Sequence, residues 1–546
     1  MASQPQAAGE RRGVSAVVTG PPRPPAATGS RPVVRTSGGL VAGERAAGVT
    51  AFRGVPYARP PLGPLRFASP RPPEPWRGIR EAVRFAPVSL QPPVPNRPVP
   101  PGSEDSLYAN VFTPATTGSR PVLVYLHGGG WQAGAGSMPA YDGTRLAARG
   151  DLVVVTFNYR LGVLGFGLHE ELTDAASGHA ANWGLQDQAA LLRWVHENAA
   201  AFGGDPGNIT LCGTSAGGAA AWQLSLLPAL RGLIRRLVCV SPSHVTAPGT
   251  ALTPEDSRTA YAALARRLGT TVAGLREVPA AALTDAWARL FAPPPEDRVV
   301  RSGRWYRGPV VDGRTMPAPD HLLPTPDVPV LSVHTRTEGS FYTGPASPYP
   351  MPGPRDDAEL VGAVREVLKL AAPDADDTLA RACAAAYRAA AQDTGLPVDP
   401  RSLWTEIWGD AFFRHQIVRF ADRHVRRGRT PLYMMEFAHP ARAPHFGTPH
   451  EATSPFLFGT HRLPQFAGMF GDGPVERLLS DVFADSVAAF ARTSVPATPH
   501  TPHWQPYTPD EPSTLVLGGP GVAEVTRTPK LAQLGFWDAV GWSPTP

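Results

Sequence analysis

Short unbroken apolar runs alternate with longer amphipathic ones along most of this chain. Val122-Leu123-Val124-Tyr125-Leu126 and Leu152-Val153-Val154-Val155-Thr156-Phe157 have strand length and no polar interruption beyond Thr156. Such runs indicate strands buried on both faces. Between them, Tyr141 to Arg149 has helical spacing. Trp183 to Phe202 places Leu185, Ala189, Leu192, Val195 and Ala199 on one helical face. Ile209-Thr210-Leu211-Cys212 reads as a short strand, and Ala219 to Leu224 as the start of a helix. Val328 to Val333 and Pro431 to Phe437 read as two further strands, and Leu478 to Arg492 as a late helix. Strands alternating with helices predict an α/β fold with a mostly parallel central sheet and helices on both faces. The alanine-rich stretches 251–292 and 356–392 read as large helical insertions. Residues 51–67, dense in turn formers, are predicted to wrap the surface, and Pro92 to Pro101 to form a loop.

Met1 to Pro32 is rich in Pro, Gly, Ala and Arg and lacks an apolar segment, which predicts a disordered leader and not a signal peptide. Beyond it the linkers are short, so 33–546 is expected to be one elaborated domain. No run of 18 apolar residues predicts a membrane span. Apolar residues at 42% and charged residues at 18% fit a globular chain. The net charge of +5 has no concentrated block, which gives no ground for a nucleic-acid partner. All basic residues except Lys369 and Lys530 are arginine, a mark of GC-rich coding. The three cysteines, Cys212, Cys239 and Cys383, are too sparse for a disulfide framework, and the first two sit in apolar runs as small core residues. C-x-x-C and H-E-x-x-H spacings are absent, so neither metal nor cofactor is predicted. A cytoplasmic location is expected.

The chemistry begins at Gly213-Thr214-Ser215-Ala216-Gly217, which fits the G-x-S-x-G nucleophile elbow. A serine between the strand 209–212 and a helix sits on a sharp turn, and the flanking glycines allow strain and close packing. An acyl-transfer serine also needs an oxyanion hole, a base, and an acid to orient the base. His127-Gly128-Gly129-Gly130-Trp131 follows the strand 122–126, where lipases and esterases carry their oxyanion loop. The N–H groups of Gly129 and Gly130, joined by Ala216, are the candidate donors. Trp131 is a candidate aromatic wall of a substrate pocket. In this elbow architecture the partners follow in the order Ser, acid, His. Glu338, after the strand 328–333, is the candidate acid, and His450 the candidate base. On residues alone His439 and His445 remain local rivals.

The chain resembles the type-B carboxylesterase family, which includes cholinesterases and bacterial nitrobenzyl esterases. The resemblance runs from about residue 33 to the C-terminus. It rests on Phe52-Arg53-Gly54-Val55-Pro56-Tyr57-Ala58, Ser103 to Tyr108, His127 to Trp131, and Asn158-Tyr159-Arg160-Leu161-Gly162. Asn182 to Gln188, Phe202 to Thr210, Val311-Asp312-Gly313 and Phe456-Leu457-Phe458-Gly459 add to it. The resemblance implies an α/β-hydrolase fold, a small-molecule carboxylic ester as substrate, and a triad of Ser215, Glu338 and His450. His450 keeps the family's spacing to Gly459, and His445 does not. It also implies structural ion pairs Arg66–Glu104 and Arg160–Asp187.

The departures are specific. Relatives usually carry an acid where Thr214 stands and another where Thr453 stands. With both neutral, the pocket behind His450 should be less negative and cationic, choline-like esters disfavoured. Ser89, Ser106 and Gly274 stand where relatives place disulfide cysteines, in keeping with a reducing compartment. Two other readings stay open at this level: a biosynthetic acyltransferase or lactone-forming enzyme with the same triad, and a non-catalytic interaction protein. Restoring both acids as Thr214→Glu/Thr453→Glu is expected to move the acidic limb of the pH–activity profile, because a nearby negative charge favours an imidazolium. An unchanged limb contradicts the reading of these two positions.

Overall fold

The computed structural model describes residues 31–93, 99–242, 253–290, 308–319, 322–344 and 351–542. The described residues from Pro32 onward belong to one compact unit. Of the expected leader 1–32, all but the last two residues lie outside the described ones. So do 94–98 of the Pro-rich loop and both ends of the stretch 251–292.

Among the described residues, eleven strands form the main sheet. In chain order they are β1 (Glu44–Ala46), β2 (Val49–Pro56), β3 (Tyr108–Thr113), β4 (Arg120–Leu126), β5 (Val153–Phe157) and β6 (Gly204–Thr214). β7 (Ile234–Val240), β8 (Val330–Thr335), β9 (Leu432–Phe437), β10 (Ser513–Leu517) and β11 (Ala523–Arg527) complete it. Across the sheet the order is β11-β10-β9-β8-β7-β6-β4-β5-β3-β2-β1. The run from β10 to β5 is parallel, and antiparallel strands close both sides.

The apolar runs of the sequence split between two cores. On β4, Val122, Val124 and Leu126 join one cluster while Leu123 and Tyr125 join the other. β5 does the same, with Val153, Val155 and Phe157 opposite Val154. Successive side chains of a strand point to opposite faces, so an unbroken apolar run feeds two cores at once. The helix Trp183–Asn198 covers one face with Leu185, Leu192 and Val195. The helix Pro474–Thr493 covers the other with Leu479, Val482, Phe483, Val487 and Phe490. The insertions are helical: Pro254–Arg267, Ala280–Leu290, Asp357–Leu368 and Asp377–Asp393. Cys212, Cys239 and Cys383 are free and buried.

One expectation is corrected. Residues 51–56 do not wrap the surface; they form most of the buried strand β2. Phe52 and Val55 are fully buried, and Phe52 packs edge-on against Phe202 at 5.1 Å. The glycine that suggested a turn, Gly54 (φ 72°), lies at a register shift between Phe52 and Val55 against β3. Inside a strand such a glycine marks a bulge. The edge strands β11 and β1 carry too few apolar residues to stand out in the sequence.

His461 is buried and stacks on Phe456 at 4.8 Å, with the rings 7° from parallel. Burial, with Arg145 nearby, pushes its pKa down to about 4 from an ordinary value of 6.5. The fold therefore favours the neutral ring. Its contribution is complete above about pH 6.5 and is lost as pH falls toward 4, because the unfolded chain takes up the proton first. His127 and His424, also pushed to about 4 by burial, add to the same slope. His461→Phe keeps the stack and removes the titration. Its urea midpoint is expected to fall less than the wild type's between pH 6.5 and 4.

Candidate active site

The strands β4, β6, β7, β8 and β9 are neighbours, and their C-terminal ends open onto one edge of the sheet. That edge is where open α/β sheets place their ligands. β4 leads into His127 and the glycine loop, β6 into Ser215, β7 into Ser241, β8 into Glu338, and β9 into the segment that reaches His450.

Ser215 has φ 59° and ψ −124°, a conformation that side-chain-bearing residues rarely adopt. Three close approaches hold it. A Cβ on Gly213 would lie 2.2 Å from the Gly217 carbonyl oxygen, and one on Gly217 would lie 2.1 Å from that of Leu126. A Cβ on Gly128 would meet the Thr214 carbonyl oxygen at 2.8 Å and Ser215 Cβ at 3.0 Å. The glycine loop thus lies directly against the serine. The Ser215 N–H donates to the Val240 carbonyl at 2.9 Å, and the helix Ala216–Ser225 starts at the next residue. The N–H groups of Gly129, Gly130 and Ala216 have no acceptor among the described residues. The loop is itself fixed: His127 Nδ1 bonds the Gly128 carbonyl at 2.9 Å, and its ring stacks on Tyr159 at 4.4 Å. Burial keeps His127 neutral, which makes Nδ1 the donor.

Glu338 and His450 are brought together. Glu338 Oε2 lies 2.6 Å from His450 Nδ1. Its Oε1 accepts from the Ser241 hydroxyl at 2.7 Å and from the Thr335 N–H at 2.8 Å. Burial pushes this carboxyl up, but His450 and the two donors outweigh it and hold it below its usual range. A carboxylate at Nδ1 fixes the proton there and leaves Nε2 as the basic nitrogen. His450 Nε2 is buried and has no hydrogen-bond partner among the described residues. Phe413 packs on the imidazole at 4.4 Å, with Tyr342 and Phe341 at 5.9 and 6.0 Å. Of the rivals, His439 Nε2 bonds the Phe470 carbonyl at 3.0 Å, and Glu338 bonds neither His439 nor His445.

The end of β8 is braced from behind. The fully buried Arg414 donates to the carbonyls of Thr335 (3.2 Å) and Arg336 (2.8 Å) and to Glu436 Oε2 (2.7 Å). Asp410 shares its charge at 3.1 Å. Removing one partner of such a buried pair leaves an uncompensated charge, so the brace is rigid.

Thr214 and Thr453 are both buried. Thr214 Oγ1 accepts from the Tyr125 hydroxyl at 3.0 Å, and the Thr453 hydroxyl has no partner among the described residues. Trp131 is fully buried, its ring edge-on to Phe166 at 6.3 Å, which places it in the core. Sequence reasoning missed Ser241 and Tyr125. Ser241 had a readable signal, since it directly follows the apolar run Leu237 to Val240, at a strand's C-terminal end. Both expected ion pairs are present: Arg66 grips Glu104 through two contacts of 2.7 Å, and Arg160 holds Asp187 at 2.7 and 2.8 Å. The hydroxyls of Ser89 and Ser106 hydrogen-bond at 2.9 Å, where relatives were expected to carry a bridge.

The description of the carboxylesterase family matches residues 30–537. The chain belongs to the carboxylesterase family. It is 33% identical over 501 residues to the para-nitrobenzyl esterase of Bacillus subtilis (strain 168), covering 89% of this chain and 94% of that one. It is 34% identical over 519 residues to the phenmedipham hydrolase of Pseudarthrobacter oxydans, covering 91% and 97%. The solved structure of PNB esterase superposes with a TM-score of 0.75 at 30% identity, covering 93% of this chain and all of that one. This carboxylesterase therefore has the α/β-hydrolase fold and is a carboxylic ester hydrolase.

The glycines of the elbow and of the glycine loop differ sharply in what they tolerate. Gly130 (φ 59°) has open space where a Cβ would sit, so Gly130→Ala carries only backbone strain of about 1–2 kcal/mol. Gly217→Ala forces a side chain onto the Leu126 carbonyl. It is expected to melt well below Gly130→Ala in thermal unfolding, and equal melting temperatures contradict the packing described.

Proposed function

We propose that Ser215, His450 and Glu338 act as the catalytic triad of this carboxylesterase, and that Gly129, Gly130 and Ala216 form its oxyanion hole. One observation carries the reading. Glu338 fixes His450 through Nδ1 and leaves Nε2 unpartnered, and the same strand end, Val240-Ser241, holds both Glu338 and the strained Ser215.

The chemistry follows from these positions. His450 Nε2 takes the Ser215 proton as Oγ attacks the ester carbonyl. The three N–H groups receive the oxyanion of the tetrahedral intermediate; because they bond nothing else, no reorganisation opposes this. His450 then returns the proton to the leaving alkoxide, and an acyl-serine remains. Water, activated by the same nitrogen, releases the acid. Glu338 stays ionised throughout and stabilises the imidazolium, in keeping with a carboxyl already held low. The substrates are small neutral carboxylic esters, the class that the name of the para-nitrobenzyl esterase relative points to. Hydrolase names among the relatives favour water over an alcohol as acceptor. Paired serines at 89 and 106 need no oxidising compartment, which supports a cytoplasmic location.

Hydrolysis of p-nitrophenyl esters from acetate to decanoate tests the reading. Ser215→Ala is expected to lower turnover by about 10⁶. Glu338→Gln keeps the shape but loses the charge that selects the tautomer, and is expected to cost about 10⁴. Wild-type turnover that survives Ser215→Ala overturns the assignment.

A further inference from the structure

Tyr125 stands two residues before His127, on the strand that feeds the glycine loop. Its side chain is fully buried, with its ring between Tyr141 at 4.9 Å and Phe458 at 4.8 Å. The hydroxyl reaches two other segments. It donates to Thr214 Oγ1 at 3.0 Å, one residue before Ser215. It also meets Ser454 Oγ at 2.9 Å, four residues after His450. Thr214 and Ser454 close the triangle at 3.3 Å.

The proton positions in this triangle follow by elimination. Tyr125 has one proton and gives it to Thr214, so Ser454 must donate to the Tyr125 oxygen. Thr214 then gives its own proton to Ser454. Each hydroxyl donates once and accepts once, and such closed rings reinforce themselves in a low dielectric. Burial holds the Tyr125 phenol well above its ordinary range, so the ring keeps its protons throughout the working pH. All three members are uncharged.

We propose that the Tyr125 hydroxyl is a positioning group for the reaction: it ties the oxyanion strand, the nucleophile elbow and the base-bearing segment into one unit. The inference rests on the triad proposed above. All three contributing elements are far apart in sequence, and their relative placement sets the Ser215–His450 geometry. Catalytic groups need placement within a fraction of an ångström, and a loosened support lowers turnover with little change in binding.

Tyr125→Phe keeps the ring and both aromatic contacts and removes only the hydroxyl. Ser454→Ala breaks the triangle from another corner. Turnover on a p-nitrophenyl ester is measured for each single variant, the double variant, wild type and Ser215→Ala. Each kcat is divided by the concentration of sites titrated with a fluorophosphonate, so misfolded protein is not counted. Each single variant is expected to lose about tenfold in kcat, the scale of one buried hydrogen bond, with KM within about twofold. The double variant is expected to lose little more than the worse single one, because both break the same ring. A kcat per titrated site within about twofold of wild type for Tyr125→Phe overturns the proposal, as do losses that multiply in the double variant. If Tyr125→Phe does not fold, Thr214→Val paired with Ser454→Ala gives the same comparison. Wild-type activity independent of Ser215 overturns the triad itself and this proposal with it. Ser215-dependent activity with unaffected variants overturns only the role of Tyr125.

Discussion

The strained backbone of Ser215 is the constraint on which the site depends. A residue at φ 59° and ψ −124° costs of the order of 1–3 kcal/mol and persists only where its surroundings allow no alternative. Here β6 fixes the chain before it, a buried helix fixes the chain after it, and the Val240 carbonyl takes its N–H. Glycines at 128, 213 and 217 let three backbone segments approach within distances that a Cβ would forbid. The strain sets the serine on a sharp turn between strand and helix, against the glycine loop.

The sheet makes that constraint affordable. Both faces of the parallel strands are packed, so the strands cannot shift relative to one another without opening two cores. Their C-terminal ends are the places where packing stops and side chains become available for chemistry. Ser215 and Ser241 follow such ends directly, Glu338 lies three residues past the end of β8, and the Arg414–Glu436 pair stiffens that end. His450 comes from a longer connection, and it is correspondingly tied down most: by Glu338, by Phe413, and by the neighbouring Ser454 in its hydroxyl ring.

Charge is used sparingly around the reacting groups. Glu338 is hydrogen-bonded to His450, and its charge is balanced by that ring and two donors. Behind the elbow, Tyr125, Thr214 and Ser454 satisfy one another without ionising. A carboxylate buried there would need a counter-charge, whereas hydroxyls need only geometry. Stability near the serine is thereby largely separated from the protonation events of the reaction.

The sequence already carries the parallel sheet, the strand–serine–helix turn, the glycine run after its strand and the chain order of the proposed triad residues. These features are local: unbroken apolar runs, glycines beside a serine, and a strand directly before each motif. It misread β2, because Gly54 gives the same signal in a bulge as in a turn, and only pairing with β3 tells them apart. It left His439 and His445 beside His450, since composition does not say which ring meets a carboxylate 112 residues earlier. It gave no sign of Tyr125, whose apolar ring looks like core and whose hydroxyl finds partners 89 and 329 residues away. Those pairings were decided by the tertiary structure alone, because a hydrogen bond between distant segments depends on where packing places them and leaves no periodicity or spacing to read.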